Sequence, residues 1–189
     1  MTNKITNTDG NYILKIARQT IEQLIRNNHL LETPTNLPAF MNEKRGVFVT
    51  ITENQELKGC IGYPEPIKPL INALIDSAVS AATGDPRFPP ITTEQLDKIK
   101  IEVSILTPPQ EIKINKPEEY LQKIKIGEDG LIIEKGFHRG LLLPQVAIEH
   151  HLNTQEFLEH TAIKAGLKPN TWQDKTTKIY KFQAQIFNE

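Results

Sequence analysis

An α+β fold with a mostly antiparallel sheet is predicted by three features of the chain. Apolar residues recur at helical spacing in some segments and strictly alternate in others. The alternating segments follow one another across short turns, as hairpins do, instead of taking turns with helices. The composition, 38% hydrophobic and 24% charged over 189 residues, is that of a globular chain and excludes disorder or a fibrous repeat. One domain, or one core split into two lobes, fits this length.

The elements can be justified in order. Thr8 and Asp9 are placed to cap a first helix, with Ile13, Ala17, Ile21, Leu24 and Ile25 on one face and Asn27-Asn28 at its end. A hairpin follows. Val47, Val49 and Ile51 alternate with Phe48, Thr50 and Thr52, Glu53-Asn54-Gln55 turns the chain, and the return strand runs from Glu56 to Tyr63. On it, Leu57, Gly59, Ile61 and Tyr63 share one face by alternation, and Lys58, Cys60 and Gly62 the other. Pro64 and Pro66 stop that strand.

A second helix over Lys68 to Thr83 buries Ile71, Leu74, Ile75, Ala78 and Ala82, with Gly84 expected to close it in a left-handed conformation. Asp85-Pro86-Arg87-Phe88-Pro89-Pro90 is a stiff extended loop. Thr92 to Gln95 reads as a capping box for a short helical turn. Ile99, Ile101, Val103 and Ile105 mark a strand, with Lys100, Glu102 and Ser104 opposite. Pro117 opens a short helix reaching Lys123. Leu131 to Glu134 and Gly140 to Leu143 form a second hairpin, broken by Pro144. A helix capped near Asn153 or Thr154 buries Phe157, Leu158, Thr161, Ala162 and Ala165, and Gly166 closes it. The last strand alternates Tyr180, Phe182, Ala184 and Ile186 against Lys181, Gln183 and Gln185.

Charge and composition exclude several function classes. With 22 basic and 23 acidic residues, net −1, no basic stripe points to nucleic acid. The lysines from Lys113 to Lys125 are interleaved with Glu118 and Glu119 and read as a solvated face. A single cysteine forbids an intramolecular disulfide and favours a reducing, cytoplasmic compartment. The polar N-terminus lacks the apolar core of a signal peptide. No apolar run approaches the roughly 18 residues of a membrane span. No phosphate loop or dinucleotide fingerprint is present, and His150, His151 and His160 lack the spacing of a helical zinc motif, so no metal site is expected.

The chemistry-bearing residues cluster in three places. Cys60 lies between Gly59 and Gly62, which let a ligand or another backbone approach closely. By alternation Lys58 faces the same way and would favour the thiolate. The bland alternative is a small buried Cys with glycines that serve packing. In the stiff loop, Asp85 and Arg87 are either an anion site or an ion pair that locks the loop. Glu102 and Ser104 share a strand face, where Glu102 is a candidate general base or simply solvent-facing. His138, at the second hairpin tip, reads as a surface turn residue rather than a partner of the thiol.

Leu57-Lys58-Gly59-Cys60-Ile61-Gly62 resembles the Leu-Arg-Gly-Cys-Ile-Gly hallmark of the AMMECR family, with Lys58 where Arg is usual. Three further blocks match in order: Asp85 to Pro90, Ile101 to Leu106, and Gly140 to Val146 followed by the Gly166 region, the last closer to archaeal than to animal members. The resemblance covers nearly the whole chain. It implies a single domain over residues 1–189, built as a two-lobed α/β structure with the hallmark near a cleft between lobes. It implies no known reaction. Prokaryotic members often occur with Memo-type proteins and radical S-adenosylmethionine enzymes, which suggests a role in modifying a protein or small molecule. Two readings follow: a non-catalytic binding module or accessory subunit, and a thiol-dependent enzyme with Cys60 as nucleophile and Glu102 assisting. In either, Lys58, Gly59, Ile61, Gly62, Asp85 and Arg87 are the expected ligand contacts. Lys58 keeps a cation at its position but lacks the planar fork of Arg.

Overall fold

The computed structural model describes residues 5–189. Antiparallel strands flanked by helices place it in the α+β class. The chain divides into two compact units, one ending at Leu106 and joined by Gln185–Glu189, the other spanning Thr107–Ala184. No helix among the described residues is long and apolar enough to cross a membrane.

In the first unit, helix α1 (Asn7–Asn27) is capped by Thr6, not Thr8. Thr6 Oγ1 accepts from the Asp9 N–H, while the Asp9 carboxylate accepts from the Thr6 N–H. An acid three residues beyond the cap decides between neighbouring threonines, because only that pairing satisfies two N–H groups at once. Asn28 ends the helix in the left-handed region, φ 50°. Strands β1 (Gly46–Glu53) and β2 (Glu56–Tyr63) form the expected hairpin, and β3 (Ile99–Leu106) pairs with the other edge of β1. Val47, Val49, Ile51, Ile99, Ile101, Val103 and Ile105 turn inward with α1 and helix α2 (Leu70–Thr83) to form one core. Every predicted core position of α2 is buried. Gly84 ends it with φ −118°, so this end needs no left-handed residue.

In the second unit, the short strand β4 (Gln110–Glu111) pairs with β7 (Lys178–Asn188), whose last residues belong to the first unit. Strand β5 (Asp129–Lys135) pairs with β7 on one side and with β6 (His138–Leu142) on the other. Helix α3 (Tyr120–Lys123) follows Pro117 as expected. Pro144 does more than break a strand: it opens helix α4 (Pro144–Glu149), where its missing N–H is no loss in the first turn. Helix α5 (Thr154–Lys164) is capped reciprocally by Asn153 and Glu156. Along β7, burial centres on Ile179 and Phe182, while Ile186 is 45% exposed. Ile179 lies opposite Ile133, and Phe182 lies opposite Gly130 with its ring over that glycine. Both faces of β7 are thus covered at different points, and alternation alone cannot represent that.

Candidate functional site

The candidate site lies wholly in the first unit and is built on the hairpin β1–β2. Asn54 and Gln55, at φ 52° and 68°, make the tight turn that sets its register. Thr50 stands opposite Cys60, and Glu102 on β3 stands opposite Thr50. Paired residues share a face, so Cys60, Thr50 and Glu102 form a row across three strands. Phe48 with Gly62 and Ser104 forms the next row. Cys60, Thr50 and Glu102 are half-buried, whereas Ser104 is buried.

Alternation misplaces one end of β2. Ile51 pairs with Gly59 but Thr52 pairs with Leu57, so Lys58 is an extra residue in a β-bulge. The bulge moves Leu57 onto the Cys60 face, where it is 38% exposed, instead of leaving it with Ile61. The Lys58 ammonium goes to Glu56, 2.9 Å away. The Glu56 hydrogen bond raises the Lys58 pKa and Glu53 adds to it, although desolvation opposes both. Lys58 therefore belongs to a carboxylate pair on its own hairpin.

The two hallmark glycines and Ile61 have distinct surroundings. Gly59 is buried, and a Cβ there would fall against the backbone carbonyl of Ala81. The strand can approach α2 only because position 59 has no side chain. Ile61 packs on the first unit's core. Gly62 lies under Phe48.

Asp85 and Arg87 grip the backbone of Cys60. The Cys60 N–H donates to Asp85 Oδ2 at 2.9 Å, and Arg87 Nη2 donates to the Cys60 carbonyl at 3.3 Å. Since β2 is an edge strand, these are the outward-facing backbone groups of Cys60, which β1 does not use. The same two side chains form a forked pair: Arg87 Nε to Asp85 Oδ1 is 2.9 Å, and Nη2 to Oδ2 is 2.7 Å. The Asp85 carboxylate is 2% exposed and the Arg87 side chain 54%. The guanidinium hydrogen bonds hold Asp85 far below the usual carboxylate range, helped by the Cys60 and Arg87 backbone N–H groups and opposed by burial. Arg87 also stands over the Phe88 ring, 5.2 Å from its centre. At the sulfur itself, Thr50 Oγ1 lies 3.3 Å from Cys60 Sγ as a hydrogen-bond partner.

The structure thus brings Cys60, Asp85 and Arg87 into direct contact and sets Glu102 one strand beyond Thr50. His138 belongs to the second unit, where its Nδ1 meets the Ala165 carbonyl at 3.2 Å. Thr50 is the residue that sequence reasoning missed. Its strand was correctly placed, but its partner becomes visible only once the register is known.

The AMMECR1 family profile matches residues 14–187. A protein of Methanothermobacter thermautotrophicus is 52% identical over 185 residues, covering 98% of this chain and 96% of that protein. A protein of Methanocaldococcus jannaschii is 53% identical over 187 residues, covering 98% and 92%. The crystal structure of an uncharacterized protein from Pyrococcus horikoshii superposes with a TM-score of 0.92 at 46% identity, covering 99% of this chain and 94% of that one.

Proposed function

The chain belongs to the AMMECR1 family, and on that premise we propose that it is a non-catalytic binding module or accessory subunit of a system that modifies a protein or small molecule. Its partners in this reading are a Memo-type protein and a radical S-adenosylmethionine enzyme. The observation that carries the reading is the use made of Asp85 and Arg87. Both charges are spent on each other and on the Cys60 backbone, at 2.9 and 3.3 Å. They stiffen the edge of β2 instead of activating its thiol. A stiff strand loses little entropy on binding, which suits a recognition surface. That surface is the half-buried row of Cys60, Thr50 and Glu102, bordered by Leu57 and Lys100.

The second reading, a thiol enzyme using Cys60 with Glu102 assisting, draws on the Thr50 hydroxyl beside Sγ and on the partial exposure of the cysteine. Alkylation separates the two. In the binding reading, iodoacetamide at pH 7 labels Cys60 no faster than it labels glutathione, and Cys60→Ser still binds both purified partner proteins by calorimetry. The paired changes Leu57→Asp and Lys100→Glu then abolish binding while the melting curve is unchanged. Rapid labelling, with loss of the assembled system's activity but not of binding in Cys60→Ser, would establish the enzyme instead.

A further inference from the structure

Strand β6 in the second unit is an edge with no counterpart to the Asp85–Arg87 grip on β2. It is the last strand on its side of the sheet and pairs with β5 alone. The two-residue turn Gly136-Phe137 closes the hairpin at the pair Lys135 and His138. In such a hairpin the closing pair exchanges both backbone hydrogen bonds, and bonded pairs then alternate with unbonded ones. The bonded pairs are therefore Lys135 with His138, Ile133 with Gly140, and Leu131 with Leu142. Leu141, opposite Ile132, turns its N–H and C=O away from β5, and no other hydrogen bond among the described residues takes them up. Leu143 is still extended, at φ −72° and ψ 157°, so its N–H turns the same way.

We propose that this edge takes up an extended segment of a partner protein as an added strand, apolar at alternate positions and acidic at one end. Outward backbone groups at a sheet edge select for a strand, because only an extended chain offers donors and acceptors at the matching spacing. The neighbouring side chains set the segment's character. Leu141 and Leu143 are half-buried, and Phe137 at the turn is fully exposed, at 107%. Edges that must stay unpaired are usually blunted by a charge; here the tip of the hairpin is a phenylalanine. A strand laid along β6 covers the two leucines with its own alternate residues. The root of the hairpin sets the acidic end. Lys135, Lys168, Asp174 and Lys175 line one recess, and Asp174 is taken by Lys135 at 2.6 Å. Lys168 and Lys175 enter no ion pair among the described residues, which leaves the recess cationic. This surface belongs to the second unit and does not depend on the Cys60 row.

The isotope-labelled full chain is titrated by NMR with the peptide Ser-Val-Thr-Val-Thr-Val-Glu-Glu. The expected result is a saturable shift of the Leu141 and Leu143 amide signals, with Kd on the order of 1 mM. Hydrogen exchange at the Leu141 amide should slow at least about threefold at saturation. A strand presents alternate N–H groups to each side. N-methylating only the valines, or only the threonines, should therefore give opposite results: one set abolishes binding and the other leaves it intact. Replacing both glutamates by lysine should weaken binding at least about threefold. Leu141→Lys should weaken it about tenfold and Phe137→Ser about threefold, with melting curves showing both variants folded. No saturation, shifts confined to other strands, or equal effects of the two methylated sets overturn the proposal. So does protection of Leu141 that grows with protein concentration in the absence of peptide, which would make the occupant a second copy of this chain.

Discussion

The two hairpins use the same device for different ends. In each, the return strand carries a glycine pressed against helix backbone: Gly59 against the Ala81 carbonyl of α2, and Gly140 against Ala165 after α5. In each, this closeness ties the hairpin to its unit's core. The hairpins differ on their remaining faces. Leu131, Ile132 and Ile133 in β5 are all buried, so that strand is covered on both sides, although His138 and Arg139 on β6 are exposed. Along β1–β2 the hydrophobic side chains buried to that degree are those of Val47, Val49 and Ile51, and the other side carries half-buried Phe48, Thr50, Thr52 and Cys60. One hairpin has an outgoing strand packed on both sides. The other is packing on one side and leaves a polar, partly open row on the other, with its edge fastened by Asp85 and Arg87.

The shared part is where the largest effects are expected. Gly59→Ala and Gly140→Ala each force a methyl into backbone atoms that cannot swing aside. Each should cost about 3 kcal/mol, or prevent folding, as read from urea midpoints. If either glycine tolerates alanine within about 0.5 kcal/mol, close helix approach is not what holds that hairpin.

The next effect belongs to the first hairpin alone. Asp85→Ala leaves the Cys60 N–H without its acceptor and Arg87 without its fork. A loss of about 2 kcal/mol is expected, less than for a fully buried pair because Arg87 is half in water. The pH dependence has a definite sign. The folded-state pKa of Asp85 is depressed, so its stabilisation is complete above the unfolded value of about 4 and is lost as pH falls below it. Stability of the parent should drop more steeply below about pH 4 than that of Asp85→Asn. Parallel acid limbs in the two proteins would show that the carboxylate's charge does not hold this edge.

Much of this contrast was legible in the amino-acid sequence, because the hairpins are local. The bounds of β2 follow from Glu53-Asn54-Gln55 before it and Pro64 after it, and the burial of Val47, Val49 and Ile51 follows from alternation. The bulge at Lys58 was not legible. An extra residue leaves composition and turn signals untouched, and it shows only in the register against Ile51 and Thr52. The contact of Asp85 and Arg87 with Cys60 spans about 25 residues of sequence. The stiff loop announced a held pair, but not what the pair would hold.

The smallest predicted effect concerns the turns, which differ as the faces do. The β5–β6 turn places Gly136 at φ 60°, where glycine has no steric cost. The β1–β2 turn asks Gln55 to adopt φ 68°, a region that costs a residue with a Cβ about 1 kcal/mol. Gln55→Gly should relieve that cost but add freedom to the unfolded chain, for a net gain of about 0.5 kcal/mol. Gly136→Ala should lose about 0.5 kcal/mol by the same reasoning in reverse. Equal and opposite signs in the two urea midpoints would locate the difference in backbone conformation. A destabilised Gln55→Gly would instead mean that the Gln55 side chain contributes to the turn that sets the register of Thr50 and Cys60.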